Sequence, residues 1–273
     1  MEKRLYKETP QGELNLFIHF PADWDAGDRR PAIVFFFGGG WQGGSPEQFR
    51  PQAEYFAGRG LVTVRVEYRV KSRHDVLPDE CVEDAKSAVR WVRSRAAELG
   101  VDPDRIVASG GSAGGHLAAC TATTVGLDAE GEDASVSSRP NLLVLYNPVL
   151  DLRGRWGRGL PEETVRLISP NVNLTGDTPA AVLFYGVQDD FLTQARTFMQ
   201  KSKGLGNPAD LYTAEGVGHA FFNREPWLSQ TTWLADRFLA QHGYLEGEPI
   251  VKLPDGIKMT REDKSPEQEV SNP

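Results

Sequence analysis

"RIVASGGSAGGHLAACTA" (residues 105–122) places one serine among four glycines, directly after an apolar run and directly before a helix-like one. A flexible linker would be longer and more polar. A phosphate-binding loop would carry a Lys behind its glycines, where this chain has His116 and Leu117. What remains is strand, sharp turn, helix, with the pattern G-x-S-x-G around Ser112. Gly110 and Gly114, two before and two after, must lack side chains because a Cβ there would collide with the turn. Such a turn holds its serine in a strained conformation with the hydroxyl thrust out above the sheet. The bland alternative is a glycine-rich turn whose serine caps the helix, and it explains the flanks less well.

Outward from this turn, short apolar runs alternate with segments of helical period, the pattern of an α/β sheet protein. Strands are expected at 14–20, 32–37, 61–68, 105–109, 142–149, 180–186 and 209–216, with "RLYKE" near the start as an edge strand. The later runs are apolar on consecutive residues, as parallel strands covered on both faces should be. A helix over 79–99 would bury Val82, Ala85, Val89, Val92, Ala96 and Leu99 on one face. Others are expected over 193–203, over 226–241, and within 45–59 from about Arg50, since Pro51 belongs in a first turn. Residues 125–140 read as an acidic surface loop, and 151–178 as the insertion long enough to cover a site. Residues 1–245 form a single domain in this reading, and 246–273 a polar, loosely docked tail.

The composition is that of an ordinary globular protein: 273 residues, 40% hydrophobic and 25% charged. A net charge of −8 argues against a nucleic-acid binder and against docking on an anionic membrane surface. Two cysteines, Cys81 and Cys120, make neither a disulfide framework nor a zinc cluster and read as small buried side chains. The first twenty residues hold no apolar core of signal-peptide length, and no later run approaches a membrane span. The chain as given reads as soluble and cytoplasmic, or secreted or periplasmic if a leader was removed. Its oligomeric state is not legible.

A serine hydroxyl becomes a nucleophile only when a base takes its proton. Of five histidines, His19 lies in a strand run and His242 follows the last helix. His116 sits too close behind the turn to swing back, and fits a packing or hydrogen-bonding place in the first helical turn. His219, in "EGVGHAFF" after the last strand, is preferred over His74 by the chain order Ser, acid, His. For the acid, "VLFYGVQDDFL" offers Asp189 three residues beyond its glycine. Asp190 is assigned instead to capping the following helix, and Asp151 is the competitor from the neighbouring strand end. Oxyanion donors would be the backbone N–H groups of Ala113, after the serine, and of Gly39 and Gly40 in "FFFGGGWQGG". Trp41 would wall the pocket as a substrate-binding residue or bridge core and surface.

Taken together, "FGGGW", "VEYRV", "DECVEDAKSAVRWVR", "VDPDRIVASGGSAGGHLAA", "YGVQDD" and "GVGHAFF" resemble the α/β-hydrolase superfamily over about residues 10–243. The likeness is to the acetyl-esterase and feruloyl-esterase-like branch related to hormone-sensitive lipase. That resemblance implies a mostly parallel eight-stranded sheet with helices on both faces and no large cap domain. It implies a serine carboxylesterase acting on small acyl esters, with Ser112 as nucleophile, Asp189 as acid, His219 as base and no metal or organic cofactor. An open cleft would suit acylated carbohydrate. Phe37 stands where the family usually has a histidine that braces the oxyanion loop.

The same glycines support a rival. Gly38, Gly40 and Gly43 satisfy G-x-G-x-x-G after a strand, and Glu67 closes the next strand as a ribose-binding acid would. A dinucleotide site needs its helix to begin among the glycines, whereas Trp41 and Gln42 intervene and Ser45-Pro46 is the earliest start. Glu67 is then expected to pair with Arg65 or Arg69. A second rival is a hydrolase fold that binds without catalysis.

Overall fold

The computed structural model describes residues 1–253, 256 and 258–262. The chain opens with a hairpin, β1 (Glu2–Thr9) and β2 (Gly12–His19), whose register runs from Glu2↔Ile18 to Thr9↔Gly12. It continues through β3 (Arg30–Phe36), α1 (Arg50–Gly58), β4 (Val62–Val66), α2 (Lys71–His74) and α3 (Pro78–Ser94). Then come β5 (Val101–Gly111), α4 (Ala113–Thr123), β6 (Leu142–Tyr146), α5 (Glu162–Leu167) and α6 (Pro170–Asn173). The last elements are β7 (Ala180–Gly186), α7 (Leu192–Leu205), β8 (Ala209–Ala214), α8 (Trp227–Gln241) and β9 (Thr260–Arg261).

Among the described residues the sheet has nine strands in the order β1-β2-β4-β3-β5-β6-β7-β8-β9. From β4 to β8 every pairing is parallel, and antiparallel strands close both edges. Alternate strand residues feed two cores. Val34, Phe36, Val64 and Leu145 pack with α3, α4 and α7 on one face. Ile33, Phe35, Val144 and Phe184 pack with α1 and α8 on the other. Both faces are therefore dry, which is why the parallel strands are apolar on consecutive residues.

Two expectations change and one gains detail. The 79–99 helix ends at Ser94: Ala96 and Leu99 are still buried, but the Val101 N–H takes the Ala96 carbonyl at 2.8 Å and turns the chain into β5. The acidic 125–140 segment is a surface loop as read, and Asp128 and Glu132 tie it to Lys86 and Arg90 of α3. The eight expected strands become nine because the segment read as a loose tail returns to β8. Thr260 and Arg261 pair with Thr213 and Tyr212, Met259 is buried, and Glu262 bridges to Arg196 of α7. An exposed strand edge next to a buried sheet is a natural template for such pairing. The tail beyond residue 262 lies outside the described residues. None of the described helices is long and apolar enough to cross a membrane.

Candidate active site

β5 delivers Ser112 to the C-terminal edge of the sheet in a strained backbone conformation, φ 53° and ψ −118°. Its N–H donates to the Tyr146 carbonyl at 2.9 Å, and its carbonyl accepts from His116 at 2.9 Å as α4 begins. The glycine requirement is met by backbone. A Cβ at Gly110 would lie 2.4 Å from the Gly114 oxygen, and one at Gly114 would lie 2.0 Å from that of Phe36. Gly111 is also constrained, because a Cβ there would lie 2.4 Å from the Phe222 ring.

His219 reaches Ser112 from the loop after β8. Its Nδ1–H donates to Asp189 Oδ2 at 2.8 Å, which leaves the Nε2 lone pair facing the serine hydroxyl, Nε2···Oγ 2.7 Å. The Asp189 carboxylate is fully buried, and its other oxygen accepts from the Phe191 backbone N–H at 2.9 Å, so both oxygens have fixed partners. The histidine loop is itself held: the Ala220 N–H donates to Asn147 Oδ1 at 3.1 Å, and Phe191 meets the imidazole at 5.4 Å between ring centres.

The other candidates lie elsewhere. Asp151 accepts the Arg153 guanidinium and backbone N–H. Against the burial that would raise its pKa, these bonds hold it below the usual carboxylate range. Asp190 is exposed and is not the cap of α7, since Asp189 takes the Phe191 N–H there. His74 folds back on its own turn through Val70, His19 meets Arg65, and His242 packs at a tilt against Phe238. His116 is fully buried and packs in the first turn of α4. Burial pushes its pKa down to about 4, opposed by the hydrogen bond to the Ile168 carbonyl. Both cysteines are buried, and desolvation pushes the Cys120 thiol up to about 12.

The glycine loop expected to supply the oxyanion donors follows β3. Among the described residues no hydrogen bond occupies the backbone N–H of Gly39, Gly40 or Ala113. Gly39 and Gly40 have φ of 132° and 62°, and a Cβ at Gly39 would lie 2.3 Å from the Gly43 oxygen. The brace expected from a histidine at position 37 comes from elsewhere. Tyr68 stacks on the Phe37 ring at 4.1 Å and donates its hydroxyl to the Phe37 carbonyl at 2.6 Å. Gln48, which the sequence did not single out, accepts from the Gly38 N–H at 2.5 Å and donates to Asn223 at 3.1 Å. It thereby ties this loop to the histidine loop, and a lone Gln in a helical-looking stretch gave no signal of that.

The dinucleotide reading fails here. The first helical residues after the glycines are Pro46–Phe49, a single 3-10 turn, so no helix begins among the glycines as a pyrophosphate site requires. Glu67 does not pair with an arginine as expected. It accepts from the Asn15 backbone and side chain, while Arg65 turns to Glu47 and Arg69 to Asp84.

A cleft of about 460 Å³ opens over Ser112 and His219, walled by Gly38–Gly40, Trp41, Gln48, Val149, Trp156, Phe191, Ala220 and Phe222. Trp41 does line it, although only 4% of the residue is exposed. Trp156 comes from the 151–178 insertion and leans on Phe191 at 5.3 Å.

This is the architecture of an α/β-hydrolase, in the serine-esterase branch related to hormone-sensitive lipase. The chain belongs to the BD-FAE family, which it matches over residues 16–154, about half its length. Among solved structures, Thermogutta terrifontis esterase 2 phosphoramylated by tabun is 48% identical with a TM-score of 0.87, over 90% of this chain and 96% of that one. The propionate-bound form of the same enzyme is 46% identical with a TM-score of 0.85, at the same coverage. A probable isoprenylcysteine alpha-carbonyl methylesterase of Arabidopsis thaliana is 26% identical, over 81% of this chain and 51% of the relative. The chain spans about half the length of the curated relatives it matches.

Proposed function

We propose that this protein is a serine carboxylesterase of short-chain acyl esters, working through an acyl-enzyme. The observation that carries the reading is the 2.7 Å approach of His219 Nε2 to Ser112 Oγ on an imidazole already held by Asp189. In this reading His219 takes the hydroxyl proton as Ser112 attacks the ester carbonyl. The oxyanion is met by the N–H groups of Gly39, Gly40 and Ala113, fixed before charge develops and so at no reorganisation cost. Collapse expels the alcohol, protonated by His219, and water activated by the same imidazole then releases the acid. Asp189 stabilises the imidazolium formed in both halves.

The acyl preference draws on the cleft that holds Ser112, lined in part by the apolar side chains of Trp41, Val149 and Phe222, against which an acetyl to butyryl group would pack. A related esterase with bound propionate supports the same size class. The alcohol would leave toward the insertion side, where Trp156 is 37% exposed and offers a flat apolar wall to a ring. Acetyl groups on plant-type polysaccharide fit this division, with the carbohydrate leaving on the open side; feruloyl, a far larger acyl group, is the alternative that the xylan assays separate.

The test combines three measurements. Hydrolysis of p-nitrophenyl acetate, butyrate and octanoate should favour the two shorter esters, with acetylated and feruloylated xylan assayed beside them. Ser112→Ala should lower turnover by about three orders of magnitude or more. A serine-directed organophosphonate should label Ser112 by mass spectrometry. Undiminished turnover in Ser112→Ala would move the chemistry off this serine, and a correctly folded wild type with neither turnover nor labelling would be a fold that binds without catalysing.

A further inference from the structure

Gly39, Gly40 and Trp41 are three consecutive residues with positive φ (132°, 62° and 60°), and only the third carries a side chain. Glycine adopts such a backbone freely, whereas a tryptophan is disfavoured there. The loop therefore needs grips from outside itself. On its outer side, the carbonyls of Trp41 and Gln42 accept from the N–H groups of Lys71 and Ser72 at the start of α2, each at 2.9 Å. On its inner side, the Trp41 indole N–H donates to His116 Nδ1 at 3.3 Å, and the two rings meet edge to face at 5.1 Å and 89°.

His116 is locked in turn. Its Nε2–H donates to the Ile168 carbonyl at 2.7 Å, which fixes the tautomer and leaves Nδ1 as the acceptor facing the indole. Its backbone N–H holds the Ser112 carbonyl. One buried imidazole thus joins the glycine loop, the serine's helix and the segment after β6. It does not line the cleft, so substrate does not touch it.

We propose that His116 is a positioning residue for ester hydrolysis: by holding the Trp41 indole it fixes the Gly39–Trp41 backbone at the distance from Ser112 at which its N–H groups meet the oxyanion. This rests on the reading of Gly39 and Gly40 as oxyanion donors. Loosening the inner grip misaligns donors that matter most once charge has developed, so the loss falls on kcat rather than on KM. The Lys71 and Ser72 grips remain, which limits that loss to about tenfold, well short of deleting a donor.

The experiment measures kcat, KM and Tm for Ser112→Ala, Trp41→Phe, His116→Leu, His116→Asn and the Trp41→Phe/His116→Leu double variant on p-nitrophenyl acetate. Trp41→Phe removes the indole N–H together with the pyrrole half of the ring system. It and His116→Leu should each lower kcat about tenfold with KM within about twofold. The double variant should be no worse than the poorer single, because both remove one contact. His116→Asn, which can keep an acceptor near the Nδ1 position, should recover part of the loss. Should His116→Leu fail to fold, Trp41→Phe decides alone. Wild-type activity that Ser112→Ala abolishes and Trp41→Phe leaves unchanged would overturn this proposal by itself. Wild-type activity that Ser112→Ala preserves would overturn the esterase reading and the proposal together.

Discussion

Three aspartates follow strand ends close to Ser112, and the partners of each carboxylate separate them. Asp189 gives one oxygen to the His219 Nδ1–H and the other to a backbone N–H, with no exposure to water. Asp151 spends both oxygens on Arg153, and Asp190 stands in solvent contact. A carboxylate on Nδ1 stabilises the imidazolium that forms as the serine loses its proton, and an amide there does not. Asp189→Asn should therefore lower kcat/KM for p-nitrophenyl acetate by about two orders of magnitude or more, with Asp151→Asn within about threefold of wild type. The reverse order would move the acid to the neighbouring strand end. The distinction was visible in the sequence only as chain order and a glycine three residues upstream. What chain order does not encode is the buried Phe191 N–H that fixes the second oxygen, a contact made by the turn into α7.

At the scale of elements, the serine's turn was legible because its chemistry is local: an apolar strand, four glycines and a helix, each constrained by its own neighbours. The loop proposed to hold the oxyanion was legible only as a glycine run, because what shapes it comes from distant segments. Tyr68 and Lys71, just beyond β4, hold the Phe37 and Trp41 carbonyls. That stretch is anchored in turn by α3. Asp84, fully buried, accepts the Arg69 backbone N–H at 3.0 Å, its guanidinium at two points of 2.9 Å each, and Lys7 of β1 at 2.7 Å. Removing the carboxylate would leave two cations buried without their main partner, which costs about 3–5 kcal/mol. Asp84→Ala should therefore lower the urea midpoint by an amount equivalent to that cost, while half-exposed Glu83, which shares both cations, should give about 1 kcal/mol or less as Glu83→Ala. Equal losses from the two would mean that the cluster is a solvated charge network instead of an anchor. The ninth strand escaped the sequence for a related reason. A two-residue pairing has no periodicity to read, and its place depends on an edge that only the assembled sheet exposes.

The whole molecule also carries a pH dependence set away from the catalytic groups. His116 is enclosed by α4, the Trp41 ring and the Ile168 carbonyl, with the Cys120 thiol 3.3 Å from Nε2. Desolvation moves its pKa from the ordinary 6.5 down to about 4. The unfolded chain therefore takes up a proton at this site over a range of pH in which the folded chain does not. The stability linked to a neutral His116 is fully present above about pH 6.5 and is lost as pH falls toward 4, reaching about 3 kcal/mol at most and about 2 kcal/mol by pH 5. Protonation would also set an Nδ1–H against the indole N–H, donor against donor, so charge enters the fold at the cost of the contact between His116 and Trp41 of the glycine loop. Urea midpoints measured at pH 7.5 and pH 5 should thus fall further for wild type than for His116→Gln, whose side chain does not titrate. The difference between the two proteins cancels the carboxylates they share. A wild-type loss equal to that of His116→Gln would show that the imidazole enters the unfolded ensemble with the same proton affinity it has when folded, and that its burial carries no such penalty.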